Sequence, residues 1–341
     1  MTRRQFLRAF TGTILVSSVS HDVLGRVLKE RATVIQPTIA HIEGGTVYER
    51  TKAAVDALGG IAKFVRPNDT VVIKPNAAFA QTPEMGGNTT PGVIGAVIKL
   101  CKQANARSVT VVEHCLSAHG RFGTSRDLSG ITQIALKEGA SVFDAGDNPF
   151  NYTKMELNAP EIRWHGFISK FLEADVIINV PRAKTHPWAG YTLCVKNLMG
   201  TMQNPKLFHL WREKGWLEDH WFELLKRLGI PRNKTGLNAL PMNLVALAKI
   251  MQSQVALNIV DMTDLVRDWS ATRPGKLEPK NTIIAGTNMV SVDAYCIKIF
   301  GENPLGMWKL TSIENYIRMM HEAGVGNANV QTFSLIKKKL S

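Results

Sequence analysis

The chain has few cysteines, and none are placed to share a cofactor. The four of them (Cys101, Cys115, Cys194 and Cys296) stand far apart. No C-x-x-C occurs, so neither a zinc ribbon nor a ferredoxin-type cluster is written here. There is no H-E-x-x-H or other defined metal spacing. Beyond the N-terminal segment, no apolar run approaches the roughly 20 residues that span a bilayer. Internal repeats and low-complexity linkers are missing too. Although the formal net charge is +13, there is no basic run or known module that would read nucleic acid. Such an excess instead attracts small anions and acidic partners, and it does not determine fold. With 341 residues, 45% hydrophobic and 20% charged, the chain can fill one large α/β domain or two small ones.

The N-terminus is the first positive signal. Thr2-Arg-Arg-Gln-Phe-Leu-Arg8 resembles a twin-arginine export signal, and a mild apolar stretch from Phe10 to Val19 follows. That stretch is too short for a membrane anchor and suits a signal h-region. Residues 1–31 are therefore expected to be a signal segment, with the twin-arginine export machinery as a partner and a periplasmic or exported location. Substrates of that machinery travel folded.

Short runs rich in Val and Ile recur at Thr33–Ile39, Thr70–Ile73, Ser108–Val112, Ser141–Phe143, Asp175–Val180, Val255–Val260 and Thr282–Ala285. Several lack alternation, as strands buried on both faces of a parallel sheet do. Helices are signposted between them. Thr46-Val-Tyr-Glu49 is a capping box, with Gly59-Gly60 as its helix's stop. Thr90-Pro91 supplies a cap and a proline at the first helical position. Asp127 to Leu136 reads as a third helix, and Ser291 as the cap of a fourth. The expected fold is a three-layer α/β domain over residues 32–330, with a mostly parallel sheet flanked by helices. A Trp-rich helical insertion is expected at about 204–230, and a basic tail at 331–341.

Candidate chemistry clusters where strands end, because open α/β sheets bind ligands beyond the carboxyl ends of their strands. After the strand Asp175–Val180, a loop is expected to present Arg182, Lys184, Thr185 and His186, followed by Tyr191, Lys196-Asn197, Lys206 and His209. Several cations, a hydroxyl and an imidazole together read as an anion site. After Val71-Val-Ile comes Lys74-Pro-Asn76, then Asn88-Thr89-Thr90 opening a helix, a place suited to phosphate or carboxylate. Glu113-His114-Cys115, with His119 close behind, suits acid/base work or a metal; His114 and His119 are the metal candidates. Asp261 follows the strand Val255–Val260 and is a stronger catalytic candidate than Asp293, which dipole stabilisation in a first helical turn would explain.

Taken together, these motifs resemble the family called domain of unknown function 362. The matching pieces are Val72-Ile-Lys-Pro-Asn76, Thr89-Thr-Pro91, Val109-Thr-Val-Val-Glu113, Ala174-Asp-Val-Ile-Ile-Asn-Val-Pro181 with Lys184-Thr-His186, Thr192-Leu-Cys-Val-Lys-Asn-Leu-Met-Gly200, Ile259-Val-Asp261 and Val290-Ser-Val-Asp-Ala294. They cover about residues 32–330 in the expected order. The resemblance implies the fold and the order of the loops, and no reaction. Some relatives carry ferredoxin-like cysteine runs, which this chain lacks, and Glu113-His114-Cys115 stands where the pattern more often has Asp-Ser-Pro.

The leading expectation is an exported enzyme acting on a small anionic substrate or cofactor. Lys74, Asn76, Thr89, Thr90, Thr185, Lys196, Asn197 and His209 would hold the ligand. His186, with Glu113 or Asp261, would move a proton, and Lys184 would bind or act as a base. The alternatives are a non-catalytic periplasmic binding or redox-accessory protein, and a metal or redox site built from Glu113, His114, His119, His186 and Asp261. No cofactor is identified by the sequence.

Overall fold

Runs of valine and isoleucine without alternation become strands with a hydrophobic layer on each side. The computed structural model describes residues 36–116, 122–124, 127–159, 162–186, 189–209, 239–270, 273–301 and 313–341. The expected signal segment at 1–31, His119 and the tryptophan-bearing stretch 211–230 lie outside the described residues.

In chain order the elements are β1 (Thr38–Gly44), α1 (Val47–Ala57), β2 (Thr70–Pro75), α2 (Pro91–Gln103), β3 (Ser108–Glu113), α3 (Ile131–Lys137), β4 (Ser141–Asp144), β5 (Tyr152–Glu156), β6 (Trp164–Ile168), α4 (Ser169–Leu172) and β7 (Val176–Val180). They continue with β8 (Arg182–His186), β9 (Gly190–Thr192), α5 (Cys194–Asn197), α6 (Ala239–Met251), β10 (Val255–Arg267), β11 (Lys276–Gly286), α7 (Met289–Phe300), α8 (Ile313–Glu322) and β12 (Ser334–Leu340).

Ten strands form one sheet in the order β12-β1-β11-β10-β7-β2-β3-β4, with β8 attached to β10 and β9 to β8. Pairing is parallel from β10 through β7, β2 and β3 to β4, and antiparallel where β11 meets β1 and β10. Alternate strand residues feed two separate cores. Val72 and Ile177 pack with α6, α7 and α8 on one face, while Val71, Ile73 and Ile178 pack with α1, α2 and α3 on the other. The fold is the expected three-layer α/β arrangement. Truncating a fully buried residue such as Ile73 or Ile177 to alanine would cost about 2–5 kcal/mol.

Several boundaries differ from expectation, each for a local reason. The capping box at Thr46 and Glu49 is present, and Gly59 ends α1 at a positive φ. Helix α3 starts at Ile131 instead of Asp127, because the Asp127 carboxylate turns back to accept the N–H groups of Ser129 and Thr132. Asn288, not Ser291, caps α7; its side chain accepts the Ser291 N–H. Strands β10 and β11 run on well past the apolar segments as an antiparallel pair, with polar residues on its exposed part. The basic stretch expected as a tail is the edge strand β12, parallel to β1. Lysines on such an edge discourage pairing with a further strand.

The largest departure concerns Arg182–His186. The expected loop is strand β8, whose backbone pairs with β10 on one side and β9 on the other. Pro181 falls between β7 and β8, and its carbonyl accepts the Asp261 N–H as β10 passes from one partner to the next.

Candidate functional site

Two cavities adjoin beyond the ends of the central strands. The inner chamber has a volume of about 130 Å³, and its wall includes Lys74, Asn76, Glu113, Lys184, His186 and Lys196. An outer basin of about 830 Å³ is lined by residues that include Tyr152, Trp164, His165 and Asn204. His114, Leu116, Pro205 and Lys206 line both. Strands β2, β3 and β8 and helix α5 thus bring together Lys74, Glu113, Lys184, His186 and Lys196, which are far apart in sequence.

The chamber's charges are held in different ways. Lys74 Nζ lies 2.7 Å from Glu113 Oε1 and also donates to the Pro75 carbonyl. The Glu113 carboxylate further accepts the N–H groups of Ala77 and His114. Burial pushes Lys74 down and Glu113 up from their ordinary values, and their mutual attraction opposes both shifts. This pair closes the chamber floor, and Glu113 is not available as the proton mover expected of it. Gly200 covers it so closely that a Cβ there would lie 2.5 Å from Glu113 Oε1 and 2.8 Å from Lys74 Nζ.

Lys184 is clasped. Its ammonium donates to the Gly87 carbonyl and to Asn76 Oδ1, and it sits 3.6 Å from the centroid of the Trp269 ring. Burial, with Lys196 and Arg182 nearby, pushes it well below the usual lysine range. The aromatic face and the two carbonyl oxygens favour its charged form against that push. With three such contacts Lys184 is a fixed cation, and the expected role as a base does not fit this geometry. Asn76 is accordingly a holder of Lys184, with its backbone N–H bonded to Thr89 Oγ1.

Lys196 differs from both lysines. It is partly buried on α5, lines the inner chamber and has no hydrogen-bond or ion-pair partner among the described residues. Burial pushes its pKa down to about 8. Its neighbour Asn197 is turned inward, donating to the Lys74 carbonyl and to Asn179 Oδ1. Asn179 in turn bonds Asn258 and the Cys194 carbonyl, forming a buried amide network under α5. The Asp293 carboxylate receives the N–H groups of Cys194 and Val195 and so fixes the start of α5. Burial raises Asp293 to about 7. It is the fifth residue of α7, not a first-turn acid, and its contacts lie with α5.

Other expected ligand residues do other work. Asp261 is not in the chamber. It receives Arg182 Nη1 at 2.8 Å and the N–H groups of Thr90 and Thr263, while Arg182 Nη2 holds Asp264 at 2.8 Å. Burial alone would raise Asp261, but Arg182 and these N–H donors outweigh it and keep the carboxyl below its ordinary range. Thr90 Oγ1 accepts from Arg182 and makes no cap bond of its own, so Asp261 supplies the cap of α2. Thr89 Oγ1 donates to the Val180 carbonyl. Thr185 is buried and absent from both cavity walls, and its hydroxyl has no partner among the described residues. Arg182, Thr89, Thr90, Thr185 and Asp261 are thus framework rather than ligand residues. The side chain of His209 lies outside the described structure.

Of the histidines, His186 lines the chamber and its Nδ1 accepts the Ala189 N–H. His114 stands at the junction of the two cavities, with Nδ1 bonded to Tyr152 at 2.7 Å. Among the described residues, no three His, Cys, Asp or Glu side chains gather as a metal site. No disulfide joins any of the four cysteines. Sequence reasoning missed Trp269, Phe79, Tyr152 and Gly200. It also passed over Asn179 and Asn258, although an amide inside an apolar strand is a visible signal of a buried polar network.

Known proteins resemble this chain at several levels. A thylakoid-associated protein of Synechocystis sp. is 26% identical over 170 residues, covering 46% of this chain and 47% of that protein. The match therefore spans about half the length of that relative. Among solved structures, a Thermotoga maritima protein aligns at 12% identity with a TM-score of 0.47, covering 75% of this chain and 60% of that one. The lactate racemase apoprotein from Thermoanaerobacterium thermosaccharolyticum aligns at 13% identity with the same TM-score, covering 77% and 57% respectively. Neither structural likeness is close enough to carry an argument about chemistry. The family described as Domain of unknown function (DUF362) matches residues 71–298, well over half of the sequence, and the protein belongs to that family.

Proposed function

We propose that this protein takes a small carboxylate or phosphate group into the inner chamber and acts on the molecule that bears it. The observation that carries the reading is Lys196, a partly buried ammonium with no counter-charge among the described residues, in a wall that also holds Lys184. An uncompensated cation out of water costs several kcal/mol, and an anion beside it offsets that cost. Lys196 and the exposed Lys206 would contact the anion. Lys184, held from behind by Gly87, Asn76 and Trp269, would add a fixed positive field. The inner chamber is smaller than the roughly 300–1,000 Å³ typical of organic-ligand pockets, and the outer basin falls within that range. A compact charged head inside and a larger body outside match those two sizes.

Calorimetric titration with acetate, pyruvate and inorganic phosphate, repeated on Lys196→Ala, tests the reading. Binding that weakens at least tenfold in the variant is the expected result. Wild-type protein that binds none of these at millimolar concentration would refute it. Turnover of a bound ligand separates an enzyme from a binding protein with the same chamber.

The reading includes export. Arg3 and Arg4 ahead of Phe6-Leu7 support passage through the twin-arginine machinery to the periplasm. Replacing both arginines with lysine should leave the protein in the cytoplasmic fraction; unchanged periplasmic recovery removes this part. Among the described residues, no helix is long and apolar enough to cross a membrane.

A further inference from the structure

Among the described residues the expected proton movers are already engaged: Glu113 is tied to Lys74, Asp261 to Arg182, and the Nδ1 lone pair of His186 accepts the Ala189 N–H. Hydrogen bonding around His114 supplies a proton acceptor. Tyr152 Oη lies 2.6 Å from the Gly146 carbonyl, which can only accept. The single phenolic proton is therefore committed to Gly146. The 2.7 Å contact between Tyr152 Oη and His114 Nδ1 must then use a proton on the imidazole. In the neutral ring, a proton on Nδ1 leaves Nε2 as a lone pair. That atom lies on the basin side, 3.9 Å from Oδ1 of the exposed Asp147, and His114 lines both cavities.

We infer that His114 is a catalytic base, its Nε2 set to take a proton from a carbon acid whose carboxylate lies in the inner chamber. A phosphate or a simple carboxylate offers no proton worth taking at neutral pH, which points to a carboxylate beside a carbonyl, a small 2-oxo acid. In the step, the C–H proton next to the carbonyl passes to Nε2. The electron pair of that bond becomes the C=C of an enolate, whose oxygen charge faces the Lys196 ammonium. Return of a proton from the imidazolium to carbon restores the ligand, so the step needs no oxidant or co-reactant. Tyr152 is a positioning residue, because it holds the tautomer without touching the ligand.

This inference rests on the anion reading, and one set of samples separates their failures. Pyruvate and 2-oxobutyrate are incubated with the protein in D₂O and followed by proton NMR for loss of signal at the carbon next to the carbonyl. Binding is measured in parallel by calorimetry. Wild type should exchange these protons. His114→Asn, which keeps a donor for Tyr152 and removes Nε2, should bind equally and exchange about a hundredfold more slowly or less. Binding without wild-type exchange, or equal exchange in the variant, overturns the inference alone; absence of binding overturns both. Nitrogen-15 NMR of labelled histidine in the wild-type protein reads the tautomer directly and does not depend on the variant folding. A proton found on Nε2 and not on Nδ1 in the neutral ring also overturns it.

Discussion

Arg182 and Lys184 sit two residues apart on β8, yet they belong to opposite kinds of electrostatic environment. Arg182 is enclosed by Asp261, Asp264 and Thr90, so its charge is matched by two carboxylates. Lys184 looks onto a chamber where, among the described residues, cations outnumber anions and Lys196 is unmatched. A buried charge with its partners in place is framework; one without a partner is an invitation to a ligand. The identity of the cation does not distinguish the two cases, and the presence of an acid across the strand does.

The comparison breaks most visibly if the matched network is opened. Asp261→Ala should destabilise the fold by about 3–5 kcal/mol in urea unfolding, because it removes the fully buried partner of Arg182, leaving only the partly exposed Asp264, and uncaps α2. Lys196→Ala, deleting an unmatched cation instead, should leave that stability unchanged or raise it while anion binding falls. Equal losses of stability in the two variants would erase the distinction. Gly200→Ala should cost about 1–3 kcal/mol and weaken the anion, since its Cβ must displace the Lys74–Glu113 pair.

Smaller effects come from pH. A lysine lowered to about 8 loses its ammonium as pH rises through that value, so anion affinity should fall between pH 7 and 9, and Lys196→Ala should abolish the trend. Asp293 is raised to about 7, above its unfolded value, so its protonation favours the folded state. That contribution is full below about pH 4 and is lost as pH rises through 7. Thermal unfolding of Asp293→Asn should accordingly decline less between pH 5 and 8 than wild type does.

The layers and the order of the sheet were legible in the chain because apolar runs without alternation have few other uses. Lys74, Lys184, His186 and Lys196 could be picked out because each follows or neighbours a strand end. Asp261 was misassigned for the same reason: its place after an apolar run looks catalytic, and nothing local reveals that Arg182 on another strand closes upon it. The aromatic face of Trp269 and the clearance left by Gly200 depend on contacts across the fold. His114 was visible as part of a cluster suited to acid/base work or a metal, but not its tautomer, which depends on Tyr152, a residue on a separate two-stranded sheet.

More than half of the described inner wall comes from one continuous piece of chain, from Lys184 on β8 to Lys206, joined to the main sheet through β10. The cations proposed to hold the anion, Lys184, Lys196 and Lys206, all lie on that piece, while Lys74, Glu113, His114 and Trp269 reach the wall from elsewhere in the fold. Exchange of residues 184–206 between family members is a direct way to transplant ligand preference without redesigning the protein around it.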